Sequence, residues 1–203
     1  MGKLRIGVLA STRGTDMQVI IDEIEKGKLN AELVCVVSDR RDAYALKRAR
    51  KHGIEAIYLN PKRLSKEEYD RRLIQILDER DVDLVLLIGY KRFLTKLFID
   101  RFRNRIMNIH PSLLPAFPGW DLDVHKSVLD YGVKITGCTL HFVDENIDAG
   151  PIILQKAVPV YDDDTPQSLK ERVQKAEQEI ILEGIRLFMK GKLRVVGRKV
   201  YTS

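Results

Sequence analysis

The chain has 203 residues, of which 44% are hydrophobic, with 13 glycines and 7 prolines. Such a composition can bury a sizeable core and excludes the disordered classes. A net charge of +6 fits anionic ligands. The basic residues, however, are spread along the chain without interleaved aromatics, which argues against a nucleic-acid stacking platform.

The opening residues MGKLRIGVLAST lack the length and flanks of a signal segment and read as a first strand over 4–10. Met17, Ile20, Ile21 and Ile24 recur near helical spacing, predicting a helix over 16–27. ELVCVVS at 32–38 reads as a second strand, followed by a helix near 43–52 that ends at Gly53. IEAIYL is a short strand. Ser65 with Glu68 forms a capping-box pattern that opens a helix through about residue 79. DLVLLIG at 83–89 is a near-continuous apolar run, as in a strand buried on both faces. A short helix near 95–101 precedes the strand RIMNIH.

After His110 the texture changes. PSLLPAFPGW has three prolines and a glycine in ten residues, so it reads as a loop. A helix near 123–131 ends before Gly132. KITGCTLHFV and GPIILQKAVPV then read as two strands around the turn-rich DENIDAG. A long helix over 165–190 is capped by Thr165 with Pro166 at its first position. The tail LRVVGRKVYTS has the pattern of a small hairpin. The βαβα alternation predicts a doubly wound, mostly parallel α/β sheet, with an antiparallel hairpin in the C-terminal half, as one domain over 1–203. Cys35 and Cys138 lie in apolar strand-like stretches. They read as buried free thiols in a reducing compartment, which makes the cytoplasm the expected location. No run of about 18 apolar residues occurs, so no membrane span is expected.

Three segments can carry chemistry. The turn STRGTDMQ at 11–18 leads from a strand into a helix, where free backbone N–H groups and the positive helix pole favour an anion. Taken alone it is equally an ordinary turn with Thr15 or Asp16 as the cap. In NIHPSLLPAFPG, Asn108 and His110 are two residues apart on a strand and point to one face. They stand at the carboxyl end of a parallel strand, where open α/β sheets bind ligands. An amide N–H can hold an oxyanion, and an imidazole can donate a charged bond or move a proton. In DENIDAGPII the bland reading is a hairpin turn. The functional reading makes Asp148 the partner of a histidine, raising its pKa and fixing its orientation. His52 reads as solvated and His141 as a satisfied structural residue. His125 is a candidate to line the proline-rich loop, and Trp120 reads as a packing anchor. No Cys/His cluster has zinc spacing, so no metal is expected.

Taken together, NIHPSLLPAFPG followed by G-x-T-x-HFVDENIDAGPII resembles the formyltransferase family that uses 10-formyltetrahydrofolate. The resemblance runs from the first strand to about residue 188 and implies a Rossmann-like formyltransferase fold. The family's Asn, His and Asp fall on Asn108, His110 and Asp148. The resemblance implies transfer of a formyl group from 10-formyltetrahydrofolate, as co-substrate, to the primary amine of glycinamide ribonucleotide in purine synthesis. Protonated His110 would then help Asn108 to stabilise the oxyanion. Gly14, Thr15 and Asp16 would hold the ribonucleotide phosphate, and Gln174 and Glu177 its ribose side. Arg92, Phe93 and Leu94 in GYKRFL, with Val143 and Asp144, would contact the folate. The N-terminal half would serve the phosphate and the C-terminal half the folate. The partners implied are small-molecule substrates rather than nucleic acid or membrane, in a monomer or homodimer.

The family usually has asparagine where Asp16 stands, and a carboxylate there repels a phosphate. Either Asp16 turns outward as a cap, or Arg13 neutralises it. The other readings are formyl transfer to a sugar nucleotide or to an aminoacyl-tRNA, or a non-catalytic nucleotide-binding module. Only about 15 residues follow the long helix, short of the further domain that the tRNA-directed relatives carry.

Overall fold

A computed structural model describes residues 2–119 and 123–202. The chain forms two compact units, Met1–Met107 and Asn108–Ser203. In the first unit, strands and helices alternate: β1 (Leu4–Leu9), α1 (Thr15–Glu25), β2 (Ala31–Ser38), α2 (Tyr44–Lys51), β3 (Glu55–Tyr58), α3 (Lys66–Asp78), β4 (Leu84–Leu87) and α4 (Lys96–Arg101). Strand β1 pairs in parallel with both β2 and β4, and β2 pairs in parallel with β3. The order β3-β2-β1-β4 therefore places β1 inside the sheet, with both turns that follow β1 and β4 at carboxyl ends. All four residues of β4 are buried, as is β1 from Ile6 onward, which is why these segments read as apolar runs rather than alternating ones.

The strand β5 (Ile106–His110) carries the chain into the second unit. There follow α5 (Val124–Tyr131), β6 (Ile135–Phe142), β7 (Ile152–Pro159), α6 (Pro166–Met189), β8 (Arg194–Val196) and β9 (Lys199–Tyr201). Strands β6 and β7 pair antiparallel from Ile135↔Pro159 to His141↔Ile152, with a register shift between Leu140 and His141. Strands β8 and β9 form the C-terminal antiparallel hairpin, and β9 meets β7 in parallel at Ile152↔Lys199. The long helix α6 packs on β6 and β7 and against α5, burying Leu169, Val173, Ala176, Ile180 and Ile181 along one face. The doubly wound, mostly parallel α/β class read from the sequence holds, as does the C-terminal hairpin.

The local signals act as their chemistry dictates. Ser65 Oγ accepts the Glu68 amide at 3.2 Å, and the Glu68 carboxylate accepts the Ser65 amide at 2.7 Å, completing the capping box of α3. Thr165 caps α6 by accepting from the Ser168 amide at 3.1 Å, with Pro166 in the first turn. Cys35 and Cys138 are free and buried, and burial pushes the Cys35 thiol up to about 12. No helix among the described residues is long and apolar enough to cross a membrane. Trp120 lies outside the described residues. Because the Ser65 hydroxyl serves the otherwise orphaned Glu68 amide, Ser65→Ala is expected to destabilise the chain by about 1 kcal/mol. Urea unfolding of the two proteins checks this, with the midpoint falling and the slope unchanged.

Candidate active site

The turn after β1 is built around Gly14. This residue is the N-cap of α1, with φ 63°, and a Cβ placed on it would stand 3.0 Å from the Ala45 Cβ. Both facts demand glycine. Neither Thr15 nor Asp16 is the cap, contrary to the sequence expectation. Asp16 is a first-turn residue and is buried rather than turned outward. Arg13 is exposed, and its carbonyl accepts from Arg48 Nε at 3.5 Å. The amides of Thr15 and Asp16 lie in the first helical turn, where no intrahelical acceptor exists. The turn thus offers donors at the positive pole of an 11-residue helix.

One hydroxyl ties this turn to the loop after β4. Ser11 Oγ donates to Asp39 Oδ1 at 2.6 Å and accepts the Lys91 amide at 2.8 Å, while the Ser11 amide donates to the Gly89 carbonyl at 3.1 Å. The next residues of that loop are the candidates Arg92, Phe93 and Leu94. The Arg92 guanidinium lies 4.2 Å from the centre of the Tyr69 ring, a buried phenol whose pKa burial pushes up to about 12. Its charge is engaged in a cation–π contact with that ring. Phe93 is half-exposed. Asp70 anchors the far end of the loop, accepting the amide and hydroxyl of Thr95, both at 2.7 Å.

In the second unit, Asn108, His110 and Asp148 converge. Asn108 and His110 leave the same face of β5, as the two-residue spacing requires. Asp148 arrives from the turn between β6 and β7 with φ 48°, a left-handed conformation uncommon outside glycine and typical of functional turns. Its Oδ2 lies 3.4 Å from His110 Nδ1 and accepts the Gly119 amide at 2.7 Å. Its Oδ1 accepts from Asn108 Nδ2 at 3.4 Å and lies 3.7 Å from His141 Nε2. His141 was read as structural. It is buried and satisfied, yet it also joins this cluster. Its Nδ1 contacts the Phe142 carbonyl at 2.8 Å, and a carbonyl can only accept, so that nitrogen carries the proton. In the neutral ring Nε2 is then an acceptor, and it takes the Asn108 Nδ2 donor at 3.1 Å. This fixes which way the Asn108 amide faces.

The same reasoning sets the tautomer of His110. Its Nε2 contacts the Phe117 carbonyl at 2.8 Å and must donate, which leaves Nδ1 as the nitrogen that gains or loses a proton. Burial pushes the His110 pKa below its ordinary value, against Asp148 and the Phe117 carbonyl, which favour the charged form. Pairing with Asp148 was expected to raise it. Desolvation wins because the ring is only 6% exposed and the Nδ1–Asp148 contact is long. For Asp148, burial opposes ionisation. His141, His110 and the Gly119 amide together outweigh it and hold the carboxyl below the usual carboxylate range.

The loop that follows His110 is held from beneath by Thr139. Its hydroxyl donates to the Ser112 carbonyl at 2.7 Å and accepts from the Leu114 amide and Gln155 Nε2, both at 3.0 Å. That saturates the group. Val143 and Asp144 are half-buried at the start of the β6–β7 turn, where Asp144 Oδ1 accepts the Asn146 amide at 2.8 Å. Gln174 is half-buried and Glu177 buried, one helical turn apart on α6. His125, a candidate to line the proline-rich loop, stands beside Pro111, the first residue of that loop. It is buried on α5 and lines a cavity of about 560 Å³ with Pro111, Asp123, Thr165, Gln167 and Lys170. His52, expected to be solvated, is half-buried and contacts Glu25 Oε1 at 2.7 Å. Among the described residues no group of three or more His, Cys, Asp or Glu side chains is placed to hold a metal ion.

An amide donor, a buried imidazole and a carboxylate held below its usual range stand within reach of one another, a set of groups able to hold an oxyanion and to move a proton. A family model described as formyl transferase matches residues 4–185, and the chain belongs to the formyl transferase family. It is 46% identical to the crystal structure of glycinamide ribonucleotide transformylase 1 from Symbiobacterium toebii, with a TM-score of 0.94, over 98% of this chain and 94% of that one. It is 37% identical to phosphoribosylglycinamide formyltransferase from Haemophilus influenzae, over 97% of this chain and 92% of the relative. It is also 40% identical to the trifunctional purine biosynthetic protein adenosine-3 of Gallus gallus. That match covers 95% of this chain but only 19% of the relative's length.

The balance of burial against Asp148 at His110 is open to measurement. In an NMR titration of the free protein, the His110 ring is expected to titrate below the roughly 6.5 of an unperturbed imidazole. The midpoint should fall further in Asp148→Asn, because the carboxylate favours the charged ring.

Proposed function

We propose that this chain transfers the formyl group of 10-formyltetrahydrofolate to the primary amine of glycinamide ribonucleotide, giving N-formylglycinamide ribonucleotide and tetrahydrofolate. The observation that carries the reading is the convergence of Asn108, His110 and Asp148 in a chain whose family match runs through both units. On this reading residues 1–203 act as one formyltransferase domain, and the co-substrate is small and organic.

The amine nitrogen attacks the formyl carbon, and the carbonyl π pair moves onto the formyl oxygen. Asn108 Nδ2 holds that oxyanion, exchanging its long 3.4 Å contact with Asp148 for a charged acceptor. Neutral His110 takes the proton that the attacking nitrogen releases, at Nδ1. The imidazolium so formed finds both acceptors already in place, Asp148 at Nδ1 and the Phe117 carbonyl at Nε2. It then delivers the proton to the folate nitrogen as the carbon–nitrogen bond breaks and the carbonyl re-forms. A depressed resting pKa suits this role, because the ring must start empty at Nδ1 and lose its proton readily.

The remaining roles follow from chemistry and position. The amides at Gly14, Thr15 and Asp16 take the ribonucleotide phosphate, and Glu177 with Gln174 takes the ribose hydroxyls. The backbone at Arg92, Phe93 and Leu94, with the turn at Val143 and Asp144, takes the pterin.

Mixing the purified chain with 10-formyltetrahydrofolate and glycinamide ribonucleotide is expected to release tetrahydrofolate only when the amine is present. Release without the amine, or none with it, would overturn the reading. Asn108→Ala, His110→Ala and Asp148→Ala are each expected to lower turnover by at least about 10²-fold without unfolding the chain. The losses should not add, because the groups act as a unit. Asp16→Asn is expected to keep turnover and to lower the Michaelis constant for the ribonucleotide modestly, since a negative charge beside the phosphate is removed. Loss of activity in that variant would mean that the carboxylate recognises a cationic group.

A further inference from the structure

The tripeptide Phe117-Pro118-Gly119 hydrogen-bonds both members of the proton-transfer pair through its backbone. The Phe117 carbonyl accepts from His110 Nε2 at 2.8 Å, and two residues later the Gly119 amide donates to Asp148 Oδ2 at 2.7 Å. That oxygen is the one that faces His110 Nδ1. Both ends of the tripeptide have positive φ, 50° at Phe117 and 99° at Gly119. An aromatic residue held there costs on the order of 1–3 kcal/mol and persists only where its surroundings demand it. No side chain of the tripeptide enters the reaction proposed above, so that reaction gives the strain no reason.

We propose that Gly119 is a positioning residue, whose backbone amide orients the Asp148 carboxylate toward His110. The inference rests on the reading of His110 and Asp148 as the working pair. Among the described residues four groups face the carboxylate: His110 and Asn108 from β5, His141 from β6, and the Gly119 amide. Their distances are 3.4 Å, 3.4 Å, 3.7 Å and 2.7 Å. Only the last has the length of a full charge-assisted bond. It also lies on the oxygen whose direction decides how the carboxylate meets the ring. Phe117, two residues away on the same turn, fixes the opposite nitrogen of that ring. The turn is therefore a template that sets the angle between acid and base, with Pro118 restricting the backbone between its two contacts.

Glycine is needed for its conformation and not for space. A Cβ added at Gly119 would meet nothing within 4 Å, but its φ of 99° is one that L residues rarely adopt. Gly119→Ala thus withdraws the amide without a clash. The expected result is a fall in kcat on the order of 10-fold, the loss of one hydrogen bond to a charged group, with KM for either substrate nearly unchanged. Carbon-13 NMR of the Asp148 carboxyl should show its titration midpoint rising. Gly119→Asn should recover part of both effects, because asparagine tolerates positive φ better than alanine does. It also serves as the test should the alanine variant fail to fold. Normal kcat, or an unmoved Asp148 midpoint despite lost activity, would overturn the proposal. Failure of the wider reading looks different: Asp148→Ala would then retain turnover, while the Asp148 midpoint would still respond to Gly119.

Discussion

A carboxylate buried to 11% exposure is the constraint from which the second unit follows. Removing Asp148 from water disfavours its charge, and only nearby donors can restore it. The chain supplies them from separate stretches, the Asn108 amide from β5 and a backbone N–H from the proline-rich loop, with the imidazoles of His110 and His141 beside them. Each must be held still for the sum to outweigh burial. The Thr139 hydroxyl, saturated by three hydrogen bonds, serves that purpose beneath the loop. The antiparallel pairing of β6 with β7 serves it beneath the turn. The register shift between Leu140 and His141 falls where the strand must release its ladder and enter that turn.

His110 shows the opposite balance. It is buried to a similar degree, but its acceptors are one long contact and one carbonyl, and desolvation prevails. One member of the pair is thereby held charged and the other neutral, in the same pocket, by the number and length of their hydrogen bonds. Paired groups whose environments push them apart are what an acid–base step requires. The carboxylate keeps its charge throughout, and the ring changes its own.

Much of this was legible in the sequence. The alternation of apolar runs with 3.6-periodic segments gave every strand and helix of the first unit. The Ser65–Glu68 and Thr165–Pro166 signals marked two helix starts. Asn108, His110 and Asp148 could be singled out because side-chain chemistry and spacing are written in residue types. What stayed hidden lies in the backbone. Gly119 looked like one more turn glycine, and Phe117 like loop filler, because an amide and a carbonyl belong to every residue and leave no mark in composition. His141 was masked by its apolar strand, although it stands within the same motif as Asp148. The direction of the His110 shift was also out of reach, since it depends on a competition between burial and a distance. The helix cap at Gly14 was missed because a left-handed glycine replaces the usual side-chain cap, leaving Asp16 buried instead.

The Ser11 hydroxyl has a thermodynamic consequence. It binds the strand-end turn at 11–15 and the loop at 89–94 through one oxygen, donating to Asp39 and accepting from Lys91. Two loops that share one anchor do not fluctuate independently. Displacing either strips a bond from the other, so their order is a single cooperative quantity. A ligand that quiets one loop lowers the entropy still to be lost when the other is occupied. Linkage then requires the benefit to be mutual and equal in size, whichever ligand arrives first.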